Sequence, residues 1–333
     1  MKQAPDRKPL LVVAALLAAI ALISLAVSIT STRPSGDEES RETVQSETGT
    51  LSQHLPADEI VQSIDFQASS GDMRLITFNA EVLFDVHEGD LSAVYVVVGI
   101  SCTPLTGNTE TSSVSATENL LHNDERNIGV NFLYTASRDG GQRCNARFRT
   151  PNWNPDKASS SIDMSTTLEV SPTGHRVSSA AAQAEDPIII KAGEDVEILR
   201  GSLPLARHPG EVLSAATVHA TSCTITNGSK DGTHHNLCTQ DMVNRAGSEV
   251  TVEATAWGLE NGNVCATQSI IREKIEVGYR MHHVLFSTES HVVVHEPSRC
   301  GDSMGYSVTV KNQGPAPLLV HRGTSSMSLL QTR

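Results

Sequence analysis

The side chains best suited to chemistry in this sequence are histidines that gather late in the chain. They are His282, His283, His291 and His295 on predicted strands, with His234 and His235 in a predicted loop. Imidazole is the commonest metal ligand in proteins, so a metal site is the sharpest interpretation. However, residues four apart on a strand, such as His291 and His295, lie about 13 Å apart, which is too far to share one ion. Strand neighbours such as His282 and His283 point to opposite faces. A site would need the loop pair to fold over a strand histidine, so we predict surface or hydrogen-bonded histidines and no metal site.

A second candidate is Ser303, in the run Gly-Asp-Ser-Met-Gly that begins at Gly301. This run resembles the turn around the nucleophile of some serine hydrolases. A serine nucleophile needs a base that a third group orients, and neither a histidine motif of those families nor their α/β pattern is present. Gly-rich phosphate loops, Gly-x-Ser-x-Gly, His-Glu-x-x-His and Asp-rich calcium loops are also missing from the sequence. We therefore assign no catalytic, cofactor-binding or metal-binding residue. The alternative function is an envelope enzyme, hydrolytic or metal-dependent, that uses these histidines with Asp302 and Ser303.

The six cysteines form the clearest pattern in the chain. Ser-Cys-Thr around Cys102 recurs around Cys223, and a second cysteine, Cys144 or Cys265, follows each of them 42 residues later. We interpret this pattern as an internal repeat, offset by 121 residues, with one disulfide in each copy. The predicted pairs are Cys102–Cys144 and Cys223–Cys265, which leaves Cys238–Cys300 as the third. The cysteine count alone allows many other pairings, so this assignment depends on the repeat.

Strands must position these residues, because helical patterns are missing beyond the N-terminus. Runs of Val, Thr, Ile and Ser alternate between apolar and polar residues and are bounded by Gly, Asn and Asp turns. The sequence therefore predicts an all-β fold with two tandem disulfide-bonded β-sandwich domains of immunoglobulin-like architecture. The cysteine spacing is shorter than in immunoglobulin domains and the expected Trp is missing, so the family itself is not assigned. The predicted strands are Arg74–Val86, Val94–Cys102, Asn127–Ser137, Arg143–Thr150, Asp163–Val170, Pro187–Lys191, Asp195–Leu203, Glu211–Cys223, Glu249–Ala256, Asn263–Ile275, Arg280–Phe286, His291–His295 and Tyr306–Val310.

The domain boundaries follow from composition. The predicted domains are residues 59–172 and 187–311, with a mobile linker at 173–186 and a loosely held C-terminal tail at 312–333. Two polar segments, Thr106–Asn123 and Asn227–Asn236, are predicted as loops that contact a partner, because binding surfaces are often loops on a rigid scaffold.

The N-terminus predicts a single membrane span. Residues 10–29 hold no charge, and the predicted transmembrane helix at 10–30 is long enough to cross a hydrocarbon core of about 30 Å. Basic residues precede it and acidic residues follow it, which places residues 1–9 in the cytoplasm and the body outside the plasma membrane. Residues 31–58 are predicted to be a disordered acidic stalk. A cleaved signal peptide is the rival interpretation, since Ala26-Val27-Ser28 resembles a cleavage site. Small residues at i, i+4 along the helix also permit a homodimer.

The net charge and the aromatic content limit the classes of partner that the protein can bind. The formal net charge is −13 and aromatic residues make up only 4% of the chain. An acidic body repels phosphate backbones, so we predict no nucleic-acid binding. The function predicted is that of a membrane-anchored extracytoplasmic protein that binds a surface or envelope protein or has a structural role, without a cofactor. A sensor that signals through the helix is a weaker alternative, because only a few residues remain inside the cell.

Overall fold

The computed structural model describes residues 45–53, 59–86, 93–107, 111–121, 125–150, 160–181, 187–205, 211–224, 237–261, 263–279, 281–287, 291–294, 303–321 and 324–332. Within these ranges the protein is all-β, with nineteen strands in three sandwich-like sheets and two disulfides. None of the described residues form a helix long and apolar enough to cross a membrane. The predicted span at 10–30 and the N-terminal residues 1–9 lie outside the described ranges.

The strands, in chain order, are β1 (Gln45–Gln53), β2 (Glu59–Ala68), β3 (Met73–Val86), β4 (Ala93–Pro104), β5 (Ser112–Leu121), β6 (Glu125–Thr135), β7 (Gly140–Arg149), β8 (Ser160–Val170), β9 (Gly174–Ala181), β10 (Ile188–Ile190), β11 (Asp195–Pro204), β12 (Glu211–Ser222), β13 (Ser248–Glu260), β14 (Asn263–Val277), β15 (His283–Ser287), β16 (His291–Val294), β17 (Ser303–Asn312), β18 (Leu318–Val320) and β19 (Ser326–Thr332). Every predicted strand overlaps one of these elements. Period-two burial explains that agreement: in β3, for example, Phe78 and Val82 are fully buried while Glu81 and Leu83 are exposed.

The first half of the chain forms two facing antiparallel sheets. One contains β1, β8, β3 and β6 in that order, and the other contains β2, β7, β4 and β5. Consecutive strands alternate between the sheets, except for the paired neighbours β4 and β5, in the connectivity of an eight-stranded jelly roll. The immunoglobulin-like arrangement expected from the sequence has a different strand order.

The second half repeats this connectivity. Its facing sheet has the order β11, β17, β13, β14. In the other sheet β10 pairs with β18, both β18 and β19 pair with β12, and β15 and β16 pair along the opposite edge of β12. The pairs β15/β16 and β18/β19 therefore take the places of the single strands β6 and β8. The described strands thus form the same jelly roll twice.

The structural repeat is not the one that the cysteine spacing predicts. Cys102 lies in β4, whose counterpart by strand order is β13, whereas Cys223 follows β12, the counterpart of β3. The offset of 121 residues therefore superimposes strands that belong to different sheets. The connection between β12 and β13 is also much longer than that between β3 and β4, so no constant offset relates the two halves.

The disulfide pairs observed in the second half also differ from the predicted ones. Cys102 and Cys144 face each other on β4 and β7 and are bonded, with a Cα–Cα distance of 4.0 Å, as predicted. Cys223 is bonded to Cys238, with a Cα–Cα distance of 5.3 Å, so the predicted pairs Cys223–Cys265 and Cys238–Cys300 are wrong. Cys223 directly follows β12 and Cys265 lies on β14 of the facing sheet, and the bond to Cys238 closes a local loop instead. Cys265 is also disulfide-bonded, and the sixth cysteine of the sequence, Cys300, lies outside the described residues.

Four segments predicted to be irregular contain strands. β1 lies within the predicted stalk, β5 within the predicted loop at 106–123, β9 within the predicted linker, and β18 and β19 within the predicted tail. β9 pairs with β19 along its length and reaches β3 through one residue pair, Met73 and Gly174. The sheets of both halves therefore join into one eleven-stranded sheet. The predicted loop at 227–236 lies outside the described residues.

Each half keeps its own core, and the two cores exchange residues at their junction. Leu285 of β15 is buried in the core of the first half, and Leu121 of β5 packs against the core of the second. A third, smaller cluster joins Leu75 of β3 with Leu213 and Leu330 of the second half. The halves are thus packed against each other by apolar contacts as well as by the shared sheet.

The burial of β19 leads to a stability test. Leu329 is 0% exposed in the second core, so Leu329→Ala should lower the free energy of unfolding by about 2–5 kcal/mol through lost burial and a cavity. Gln313→Ala is the matched control, because Gln313 lies in the same predicted tail but is exposed, and its effect should stay within about 0.5 kcal/mol. Urea unfolding followed by intrinsic fluorescence measures both. Equal effects of the two variants would contradict the buried position of β19.

Candidate metal centre at the junction of the two halves

The central strand of the second half, β12, has two buried faces. Val218 and Ala220 point into the core of the second half. The alternate residues Thr217, His219 and Thr221 are also buried and point away from that core. An alternating polar run with almost no solvent exposure requires partners for its polar groups, because buried polar atoms without hydrogen bonds are costly.

Strand register brings three histidines to this polar face. His283 on β15 pairs with Thr221 of β12, which lies two residues from His219 on the same face of the strand. On the other side, β18 pairs with β12 up to Val320, and the backbone N–H of His321 donates to the carbonyl of His219 at 2.8 Å. His219 therefore lies between the two other histidines, with His283 on β15 on one side and His321 directly after β18 on the other.

The three imidazoles are in close contact. His219 Nε2 and His283 Nδ1 lie 3.2 Å apart, and the rings of His219 and His321 stack at a centroid distance of 4.3 Å. One nitrogen from each of the three rings lies within 4.8 Å of the other two. We call this group of His219, His283 and His321 the histidine cluster.

Two threonine hydroxyls bond to the histidine cluster. Thr324 Oγ1 lies 2.9 Å from His219 Nδ1. Thr221 Oγ1 lies 3.1 Å from His283 Nδ1 and 2.5 Å from His321 Nε2. A hydroxyl both donates and accepts, so each threonine can match either tautomer of its histidine. With Nδ1 of His219 directed to Thr324, its Nε2 is the nitrogen directed at the other rings.

Burial keeps the histidine cluster uncharged. Desolvation, followed by repulsion from His321, His283 and His282, holds the pKa of His219 well below its usual value. Desolvation and the neighbouring histidines lower the pKa of His283 to about 3 and that of His321 to about 4. At neutral pH all three rings are therefore neutral, the form in which imidazole binds metals.

The first half of the chain helps to position His283. Asn119 of β5 accepts a hydrogen bond from the backbone N–H of His283 at 2.5 Å through Oδ1. The edge of the Tyr95 ring lies against His283 at a centroid distance of 5.7 Å. β6 also approaches closely, since a Cβ on Gly129 would overlap the hydroxyl of Ser287. The histidine cluster is thus built on the second half and fixed in place by the first.

The buried carboxyl group of Glu118 adds a second hydrogen bond between the first half and β15. Glu118 of β5 is 1% exposed and accepts a hydrogen bond from the backbone N–H of Leu285 through Oε2. Its Oε1 lies 3.5 Å from Arg126 Nη2. Burial raises the pKa of Glu118 to about 8, opposed by Arg126 and by the backbone donors. Burial also raises the pKa of Glu273 on β14 to about 7, again opposed by Arg126.

Only some of the candidate site residues named in the sequence analysis lie close together in the structure. His283 belongs to the histidine cluster, and the ring of His282 lies 4.7 Å from that of His283. The expectation that these two rings point to opposite faces is wrong, because His282 precedes β15 and its Nδ1 lies 3.2 Å from the carbonyl of Ser222. Ser303 is the first residue of β17. Only the backbone of His291 is described, in β16, and His234, His235, His295 and Asp302 lie outside the described residues.

Sequence reasoning missed His219 and His321. The signal for His219 was the pattern Val-His-Ala-Thr within an otherwise apolar strand, which marks a polar face on a buried element. His321 carried no such signal, because it directly follows the three-residue strand β18 inside the predicted tail.

Comparison with known proteins finds only weak structural similarities. No protein-family model and no curated protein matches the chain. Infectious bursal disease virus, Gx strain, gives a match with a TM-score of 0.31 and 9% identity over 90% of this chain and 74% of that one. The tandem CBM22-1–CBM22-2 domain of Paenibacillus barcinonensis Xyn10C gives a TM-score of 0.23 at 7% identity, over 88% and 95% of the two chains. The insecticidal delta-endotoxin Cry8Ea1 of Bacillus thuringiensis gives 0.26 at 6% identity, over 84% and 54%. With TM-scores this low, the fold assignment rests on the strand order described above.

The buried carboxyl predicts a pH dependence of stability. Because the folded-state pKa of Glu118 is raised above its ordinary value, the folded state holds a proton that the unfolded state has lost. The titration of Glu118 should therefore lower stability by about 1–2 kcal/mol as pH rises from 6.5 to 8. The buried histidines have lowered pKa values and raise stability between pH 6.5 and about 7.5, so the effect of Glu118 is measured as the difference in slope between the wild type and a variant.

Glu118→Gln should remove this contribution to the slope, most clearly between pH 7 and 8, above the pKa of Glu273. Glu81→Gln, at an exposed position on β3, is the matched control and should retain the wild-type slope. Denaturation midpoints at pH 6.5, 7 and 8 test both variants. A Glu118→Gln protein with the full wild-type slope would show that this carboxyl does not titrate in the expected range.

Proposed function

We propose that this protein is a membrane-tethered extracytoplasmic protein that acts by binding or as a structural component, through two β-sandwich modules in tandem. The observation that carries the proposal is the uncharged segment at residues 10–29, placed ahead of a disulfide-bonded all-β body. A segment of this length and composition is typical of a transmembrane helix.

Cysteine chemistry supports export of the body. Cys102–Cys144 and Cys223–Cys238 are disulfides, and Cys265 is also oxidised. Disulfides persist in extracellular and periplasmic compartments and are rare in the cytosol. The three basic residues before the apolar segment favour a cytoplasmic N-terminus. The body is therefore assigned to the outer side of the plasma membrane.

A role in binding or structure, rather than catalysis, is supported by how the polar groups of the junction are used. Glu118 and Asn119 hold the backbone of β15, and Asn131 holds the backbone of β12 at the carbonyl of Ala216. These side chains connect the two halves by hydrogen bonds. A rigid scaffold that presents loops to a surface or envelope protein suits a binding or structural protein. Jelly rolls serve in viral capsid and lectin domains, although a fold alone does not define an activity.

The tether can be tested with paired substitutions in the apolar segment. In a bacterial host, the full-length chain should sediment with membranes and resist extraction at alkaline pH. Protease added to spheroplasts should degrade its body. Ile20→Arg with Leu22→Arg should abolish insertion, because each arginine at a helix centre costs about 2.5–3.5 kcal/mol. Ile20→Val with Leu22→Val is the matched control and should behave as wild type.

Two outcomes would contradict this proposal. A protease-protected, soluble wild-type chain would refute both tether and export. A soluble chain outside the membrane, shortened by the mass of the first 28 or so residues, would support the cleaved signal peptide and refute the tether. Cross-linking of intact membranes then tests whether the small residues of the helix support a homodimer.

A further inference from the structure

The histidine cluster has the composition and spacing of a transition-metal site. We propose that His219, His283 and His321 bind one divalent transition-metal ion of the zinc class, and that this ion joins the central strand β12 to the strands on both of its sides. This inference goes beyond the proposed function and depends neither on the tether nor on export.

The first support is geometric. Zinc–imidazole bonds of 2.0–2.1 Å in a tetrahedral site place ligand nitrogens about 3.3 Å apart. His219 Nε2 and His283 Nδ1 are already 3.2 Å apart, and all three nitrogens lie within 4.8 Å of one another. Because β12 and its neighbours fix the backbones, only small side-chain rotations are needed to bring the third nitrogen to the same separation. Side-chain rotations of this kind cost little compared with a metal–ligand bond.

The second support is the chemistry of the donors. The cluster offers three imidazole nitrogens and no carboxylate or thiolate. Calcium and magnesium prefer oxygen ligands, whereas imidazole suits zinc, copper, nickel and cobalt. His283 and His321 are only partly buried, which leaves a path by which an ion can enter. The fourth position can be taken by the Thr221 hydroxyl, which contacts two of the histidines, or by water.

The third support lies in the groups behind the ligands. Metal-binding histidines commonly use their second ring nitrogen for a hydrogen bond that fixes the tautomer and orientation. Thr324 makes this bond to His219 Nδ1 at 2.9 Å, so that Nε2 remains the ligand atom. Asn119 holds the backbone of His283 from the first half of the chain. A bound ion would therefore connect β15, and through it the first half, to β12.

A cluster held by hydrogen bonds alone is the competing explanation, since each ring already has a hydroxyl or imidazole neighbour. The two explanations differ in metal stoichiometry and in the effect of metal on stability, so both can be measured on the full-length chain in detergent. The chain is stripped with a chelator, and Zn²⁺ is then titrated while bound metal is counted by elemental analysis. Cobalt serves as a second probe, because tetrahedral Co²⁺ absorbs visible light strongly.

We expect one zinc ion per chain and a rise in Tm of at least about 5 °C at saturating zinc. Single variants His219→Gln, His283→Gln and His321→Gln should each lose the ion and the rise in Tm. The matched control is His282→Gln, because His282 contacts His283 but directs its Nδ1 to the carbonyl of Ser222. The His282→Gln variant should keep both the bound zinc ion and the rise in Tm. Circular dichroism verifies that each variant is folded.

A further variant keeps the test informative if a histidine substitution prevents folding. Thr324→Val leaves all three ligands in place and should weaken zinc binding about 10–100-fold without changing the stoichiometry. A wild-type chain that binds no zinc would overturn the proposal in favour of the hydrogen-bonded cluster. Zinc that persists in all three ligand variants, or that disappears in His234→Gln with His235→Gln, would place the ion elsewhere and overturn it as well.

Discussion

The structure depends on the burial of both faces of one strand, β12. One face supplies Val218 and Ala220 to the core of the second half, and the other supplies Leu213 to the cluster that joins the halves. A strand that is covered on both sides cannot exchange register, because a slip by one residue would move polar side chains into an apolar core. The positions of β15, β16, β18 and β19 follow from their pairing with this strand. The histidine cluster is a consequence of the same constraint, since its members lie on β12, on the adjacent strand β15 and directly after β18.

The all-β class and the positions of the central strands could be predicted from the sequence because their burial alternates with a period of two. Several of the missed strands have sequences that do not look apolar. In β5, Glu118 and Asn119 are buried yet polar, because they bond to the backbone of β15 rather than pack in a core. β9 is rich in small and polar residues, and its pairing partner β19 lies far along the chain. Long-range pairing of this kind leaves no local pattern.

The matching Cys-to-Cys spacings are a misleading signal for how the two halves correspond. Strand order demonstrates two jelly rolls, but the matching Cys-to-Cys spacings join positions that are not equivalent in the fold. Cys223 finds a partner 15 residues away in its own loop, whereas Cys102 finds one across a strand ladder. Loop lengths have diverged between the halves while the order of pairing has not. For the same reason the histidine cluster could not be predicted from spacing, because His219 and His321 meet only through the register of two strands that are distant in sequence.

The late position of β19 has a consequence for how the molecule is made. β12 pairs with residues more than one hundred positions further along the chain, and the second jelly roll cannot close until residue 332 has left the ribosome or the translocation channel. The strand pairing within the first jelly roll is complete once β8 is present, although Leu285 of its core comes later. During synthesis, a folded first module would therefore precede a long, still unpaired second one, whose apolar strands would have to be shielded until the last ladder forms.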